Sequence, residues 1–300
     1  MKIAPTVLKQ RAHLLGEIRA FFQEKNVLEV ETPVLGQSGV CDPHLQNLVT
    51  QINTSRYFLQ TSPEYHMKRL LASGSGSIYQ ICKAFRDDEQ GRYHNPEFTM
   101  VEWYRTGFNY LQLMDEVEQL IAGLIGIEGF HRLTYQDAFQ KTVGIDPFSA
   151  TEVELEKKAG QVSGQTSRND LLDLILAEKV LPALKGAVFI YDYPADQAAM
   201  AKIRGDVAER FELIINGIEL ANGYSELIDP VEQKKRFNDE NKQREAIGME
   251  PMPIDQQFLK AMTEGIPDCA GVALGFDRLV MLACNKNTLA DVMPFPVEIA

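Results

Sequence analysis

The segment FELIINGIELANGYSEL, residues 211–227, constrains the fold more than any other stretch of the chain. Asn216-Gly217 sits between two alternating apolar runs, and a two-residue turn of this kind closes an antiparallel hairpin because both residues tolerate positive φ. With the turn there, Glu219 faces Ile214, and Glu212 lies two residues further along the same strand. Side chains at a separation of two share a face. The two carboxylates are therefore diagonal neighbours, roughly 7–8 Å apart at Cα. Carboxylates that close repel unless they are protonated or bridged by a cation. Mg²⁺, which takes oxygen ligands and shares them with substrate phosphates, resolves the repulsion. A wet outer face with two ordinary surface acids is the plainer alternative. Glu226 has the wrong parity to join Glu219 on a regular strand, so a bulge is expected at Asn222-Gly223.

Two more strand-like runs, SIYQICKAF and EFTMVEWY, bracket the charged stretch FRDDEQGRYHNPEF at residues 85–98. Arg86 sits at the rim of the first run, where its fork of donors suits a phosphate or a carboxylate. Glu102 and Tyr104 share a face of the second, an arrangement that suits a cationic ligand. Taken singly, each reads first as an ordinary surface ion pair.

Helical spacing of Val7, Leu14, Ile18 and Phe21 predicts a helix over 6–26 with Thr6 as its cap. VLEVETPVL follows as a strand that Pro33 interrupts, and LQNLVTQI and RYFLQ flank a hairpin turn at NTS. TSPEYHMKRLLASG reads as a helix with Ser62 at the N-cap and Pro63 at the first position. Further helical patterns cover 110–125, 134–142 and 151–178, with a strand at AVFIYDYP. PVEQKKRFNDENKQREAIG is a polar-faced helix, and GVALGFDRLVMLAC reads as strand, glycine turn and helix. The fold class expected is α+β, one domain over 1–300 with a mainly antiparallel sheet flanked by helices. Residues 143–185, with few distinctive residues, are open to reading as a helical insertion on that domain.

The formal charge of −12 disfavours extended contact with a nucleic-acid backbone, which needs Lys and Arg. Cys41, Cys82, Cys269 and Cys284 show neither a C-x-x-C pair nor zinc spacing, as expected of reduced cytosolic thiols. No leader and no membrane-spanning run is read in the chain, so no membrane partner is expected.

FRDDEQGRYHNPEF resembles motif 2 of class II aminoacyl-tRNA synthetases, GVALGFDR their motif 3, and FFQEKNVLEVETPVL their motif 1, with Pro33 at a dimer interface. TSPEYHMKRLL and GIELANGYSEL resemble the lysine-specific branch of that family. The resemblance spans almost the whole chain and is weakest over 143–185. It implies a homodimer with the class II catalytic fold, in which the motif 2 hairpin wraps ATP. By the same resemblance Arg86 holds the α-phosphate and the amino-acid carboxylate, Phe98 stacks under adenine, and His94 and Asn95 contact the nucleotide. Asp87, Asp88, Leu220 and Gly275 belong to the ATP site, Arg278 clamps the far phosphates, and Glu212 and Glu219 hold Mg²⁺. Ser62, Pro63, Glu64, Glu102, Tyr104, Asn222, Glu226 and Ala273 line the amino-acid pocket.

Three departures from the family pattern bear on this. Asp88 stands at the motif 2 glutamate, with Glu89 adjacent, and Ala273 stands at the middle glycine of motif 3. Motif 1 lies by residue 33, so no anticodon-binding barrel is expected before it. The resemblance therefore implies a truncated branch that transfers lysine, preferably (R)-β-lysine, to a lysine of elongation factor P, with tRNA not a partner. A minimal enzyme that charges tRNA and an inactive regulatory paralogue are the competing readings. Retention of Arg86, Arg278, Glu212 and Glu219 counts against the latter.

Overall fold

The computed structural model describes residues 3–87, 90–160 and 166–300. They fall into two compact units, the first comprising 1–107, 228–269 and 273–300, the second 108–227 and 270–272.

The first unit opens with α1 (Pro5–Glu24), which buries Val7, Leu14, Ile18 and Phe22. Phe22, rather than the expected Phe21, carries the stripe inward, stacking on Tyr79 at 4.3 Å and lying edge-on to Trp103 at 5.3 Å. Ala4, not Thr6, holds the N-cap position, without a side-chain bond, because Pro5 starts the helix where a missing N–H costs nothing. Short strands β1 (Leu28–Glu29) and β2 (Leu35–Gly36) follow on either side of Pro33. β3 (Val49–Ile52) and β4 (Ser55–Leu59) form the expected hairpin, with Asn53 at φ +56° in its turn. These three make a small sheet in the order β2-β4-β3. α2 (Glu64–Ala72) begins one residue later than expected, with Pro63 at the N-cap and the Ser62 hydroxyl accepting from Glu64 N. β5 (Ile78–Phe85) and β6 (Glu97–Thr106) pair antiparallel along the whole of β5, and β1 adds to β5 in parallel.

In the second unit, α3 (Tyr110–Ile125) carries a capping box of Asn109 and Gln112. β7 (His131–Thr134), which the sequence pattern does not reveal, leads into α4 (Tyr135–Val143). Residues 151–178 are not one helix. α5 (Glu152–Ala159) and α6 (Arg168–Ile175) each start at their own capping box, Thr151 with Glu154 and Ser167 with Asp170. A π-helical turn then runs over Leu176–Val180 into α7 (Leu181–Ala183). Tyr135, Phe139, Leu155, Leu172, Ile175 and Val180 of these helices share one core with Val188 and Ile190 of β8 (Ala187–Pro194). β9 (Ile203–Arg204), β10 (Val207–Ile215) and β11 (Ile218–Ser225) complete this part, in the order β11-β10-β8-β7 with β9 on β10.

The chain then returns to the first unit with α8 (Pro230–Ala246) and α9 (Gln256–Gly265). β12 (Cys269–Gly275), whose residues 270–272 belong to the second unit, precedes α10 (Phe276–Ala283). The architecture is α+β, as expected. Among the described residues no helix is long and apolar enough to cross a membrane.

Candidate active site

The β10–β11 hairpin turns at Asn216 (φ +51°) and Gly217 (φ +80°), as the sequence requires. Ile215 faces Ile218 and Ile214 faces Glu219, but beyond them Leu213 faces Ala221 and Glu212 faces Asn222. The extra residue is thus Leu220, and the bulge lies two residues before the expected Asn222-Gly223. Gly223 has a different duty: a Cβ there would come within 2.7 Å of Gly271 O and 2.8 Å of the Phe211 ring. The extra residue reverses the alternation, so Asn222, Tyr224 and Glu226 point to the side of Glu219 and Glu212. Leu220, expected in the nucleotide site, has its side chain buried.

On this face of the second unit Arg210 organises the carboxylates. It donates through Nη2 to Glu212 Oε1 at 2.6 Å, through Nε to Asn222 Oδ1 at 3.3 Å and through Nη1 to Gln197 O at 2.9 Å. Its guanidinium also stands 4.5 Å above the Tyr193 ring. Asn222 Nδ2 donates to the same Glu212 oxygen at 3.2 Å. Burial first, and then the charge of Glu219, push the Glu212 carboxyl up to about 7. Glu219 thus acts on Glu212 in the sense the sequence expects, and Arg210, which the sequence reading missed, acts against it. No group of three or more His, Cys, Asp or Glu among the described residues forms a complete metal cage. Two carboxylates of which one is driven toward its neutral form fit a Mg²⁺ that takes its remaining ligands from phosphates. Glu226, 3% exposed, bridges Ala201 through its backbone.

The charged stretch of the first unit is the connection between β5 and β6. Arg86 N donates to Pro96 O at 2.9 Å, and the Arg86 guanidinium lies 5.1 Å over the Phe98 ring. Arg278, on the first turn of α10, reaches the same connection, donating through Nε to Tyr93 O at 3.2 Å and meeting His94 Nε2 at 2.9 Å through Nη2. Arg86 thus meets Phe98, and Arg278 meets His94. Gly275 precedes α10 at the N-cap, and Asp87 is exposed, its backbone bridged to Gln46. Asp88 and its neighbour Glu89 lie outside the described residues. Asn95 is buried, and both ends of its amide are bonded within the protein.

Beneath this loop lies a second residue missed in the sequence, Asp277, 2% exposed. Its Oδ1 accepts from Arg11 Nη1 at 2.6 Å and its Oδ2 from Thr99 N at 2.6 Å, while Arg11 also donates to Val292 O at 3.2 Å. The aspartate next to the motif 3 arginine thus ties α1, β6 and α10 together. The only signal for it in the sequence is its place beside Arg278.

Glu102 and Tyr104 share a buried face, with the tyrosine hydroxyl donating to Glu102 Oε1 at 2.6 Å. Glu64 accepts from Lys68, a wholly buried ammonium, at 2.7 Å. Ser62 and Pro63 lead into the helix that carries Glu64, and Ala273 is half-buried on β12.

Comparison with known proteins matches residues 3–299 to the family described as tRNA synthetases class II (D, K and N). A protein of Vibrio atlanticus (strain LGP32) is 47% identical over 306 residues, covering 96% of this chain and 95% of the relative. One of Vibrio parahaemolyticus serotype O3:K6 is 46% identical, covering 98% and 96%. One of Hamiltonella defensa is 45% identical, covering 97% and 95%. Each of the three is named elongation factor P–(R)-β-lysine ligase.

Proposed function

The chain belongs to the class II tRNA synthetase family, in its D, K and N group, and from that premise we propose that it activates lysine, preferably (R)-β-lysine, with ATP and transfers it to a lysine side chain of elongation factor P. One observation carries the reading: relatives at 45–47% identity, matched over nearly the full length of both chains, are named elongation factor P–(R)-β-lysine ligase.

In the first step the amino-acid carboxylate attacks the α-phosphorus of ATP, pyrophosphate leaves and an aminoacyl-adenylate forms. In the second the acceptor amine attacks the acyl carbon and AMP leaves. Neither step requires much proton transfer from the protein, so positioning and charge neutralisation dominate. Arg86 holds the α-phosphate and the carboxylate, and Phe98 stacks under adenine. Arg278 clamps the far phosphates. Glu212 and Glu219 would hold a Mg²⁺, which would supply charge neutralisation for the leaving pyrophosphate. Arg210 fixes the Glu212 carboxylate, and Asn222 bonds the same oxygen. Glu64, Glu102, Tyr104 and Glu226 receive the ammonium groups of the substrate, since a buried ammonium requires anionic partners.

The working form is a homodimer. Leu28, Val34, Leu35, Val49 and Ile52, on and around the motif 1 segment, are exposed apolar side chains of the first unit, which pairing with a second copy would cover. The protein acts in the cytosol, in keeping with four cysteines outside any disulfide among the described residues.

The test is to incubate the protein with ATP, Mg²⁺ and radiolabelled lysine or (R)-β-lysine, offering elongation factor P or tRNA. Label is expected on the factor and not on tRNA. Label on tRNA alone would establish the minimal tRNA-charging enzyme instead, and label on neither would leave the inactive paralogue.

A further inference from the structure

The connection between β5 and β6 is not held by its own strands alone. A segment far along the chain crosses it, and among the described residues four hydrogen bonds join the two. Leu289 N donates to Arg92 O at 3.0 Å, and Arg92 Nε donates back to Asn287 O at 2.8 Å. Gln90 Nε2 donates to Glu298 Oε1 at 2.8 Å. Val297 N donates to Asn95 Oδ1 at 3.0 Å.

The last bond differs from the others in its surroundings. Asn95 is 5% exposed, and its Nδ2 donates to Glu97 O at 2.6 Å while its Oδ1 takes the Val297 N–H. Both ends of the amide are thus committed inside the protein. A buried amide oxygen that lost its donor would carry an uncompensated desolvation cost, whereas the exposed Gln90–Glu298 bond contributes little. The Asn95 side chain therefore reads the position of residue 297 and sets the position of the loop.

We propose that residues 287–298 are a strap that positions the nucleotide-binding loop, with the Asn95 side chain as its latch. Asn95 then serves ATP through the placement of the loop rather than through an amide contact with the nucleotide. Surface connections open readily unless they are tied down, and a loop ordered before ATP arrives spares the ordering entropy at binding. The inference rests on the reading of this loop as an ATP site.

The experiment uses the full chain and measures lysine-dependent ATP–pyrophosphate exchange, melting temperature and amide hydrogen exchange over residues 90–97. Val297→Pro removes the backbone N–H that donates to Asn95 Oδ1, while Val297→Ala keeps it. Val297→Pro should raise the KM for ATP about five-fold or more and leave the KM for lysine within about two-fold. It should also speed amide exchange in the loop with little change in melting temperature, and Val297→Ala should match the parent protein. Should Val297→Pro fail to fold, removal of residues 296–300 carries the same expectation. An unchanged KM for ATP, equal rises for ATP and lysine, or a Val297→Ala protein as impaired as Val297→Pro would overturn the strap. If the parent protein shows no exchange reaction at all, the functional reading falls. The strap is then judged by loop protection, which its loss must reduce and without which change it is refuted.

Discussion

Arg278 holds Tyr93 O and His94 through separate nitrogens of one guanidinium, so its charge is displayed at the loop rather than spent in a core. Arg278→Ala should therefore keep the fold, with an unchanged melting temperature, and lose about 10²–10³-fold in pyrophosphate exchange, the cost of removing one preorganised charge contact. Near-parental exchange by the folded variant would remove its role. Glu240 gives a prediction of another kind. Burial, reinforced by Asp42 and Glu64 and opposed by Arg236, pushes its carboxyl from 4.5 up to about 8. The folded protein thus keeps the proton that the unfolded chain releases. The associated stability is complete below the unfolded value and is lost as pH rises through the folded one. Glu240→Gln, which fixes the neutral form, should gain melting temperature over the parent progressively between about pH 5 and about pH 9. An offset that does not vary with pH would refute the raised carboxyl. Arg86, Phe98 and Arg278 were legible in the sequence because short motifs carry them at fixed spacing. Arg210 and Asp277 were not. Their partners lie at Gln197, Asn222, Arg11 and Thr99, and nothing local distinguishes them from surface charges.

At the scale of elements, the β10–β11 hairpin shows where a sequence pattern stops. Asn216-Gly217 determined the turn and the first two cross-strand pairs, because positive φ at both residues is a local demand. The bulge at Leu220 was misplaced by two residues because a glycine in a strand marks either a bulge or a close backbone approach, and a single chain does not tell them apart. Gly223 is the second case. Gly223→Ala would drive a methyl against Gly271 O and Phe211, neither of which is a flexible end. It should cost about 1–3 kcal/mol, as overpacking of a tight site does, and chemical denaturation measures it. A variant as stable as the parent would show that the backbone yields there. The helical stretch at 151–178 was misread as one element for the opposite reason. Apolar spacing continued, while Ser167 and Asp170 restarted the helix with a new cap.

For the whole molecule, the α+β class and the order of the three motifs were legible, since each motif brings its own strand or helix. The boundaries of the two compact units were not, because they depend on contacts between residues distant in the chain. The exposed apolar residues around motif 1 predict self-association. Sedimentation at micromolar concentration should give twice the mass of the 33.7 kDa chain, and Leu28→Glu with Leu35→Glu should return one chain's mass. A monomeric parent protein would leave those side chains unexplained. The Asp277 junction, finally, has a consequence in time. It joins Arg11 and Thr99 to residues 277 and 292, so the earliest part of the first unit waits for the latest. Residues 108–227 form one uninterrupted run of the second unit, whereas the first unit resumes for good only at residue 273. At roughly 5–20 residues per second on the ribosome, the β5–β6 hairpin stays without Asp277 for on the order of ten to thirty seconds. During that interval the apolar faces of α1 and β6 lack their final partner, so the nascent chain is a client for chaperones until its last few dozen residues emerge.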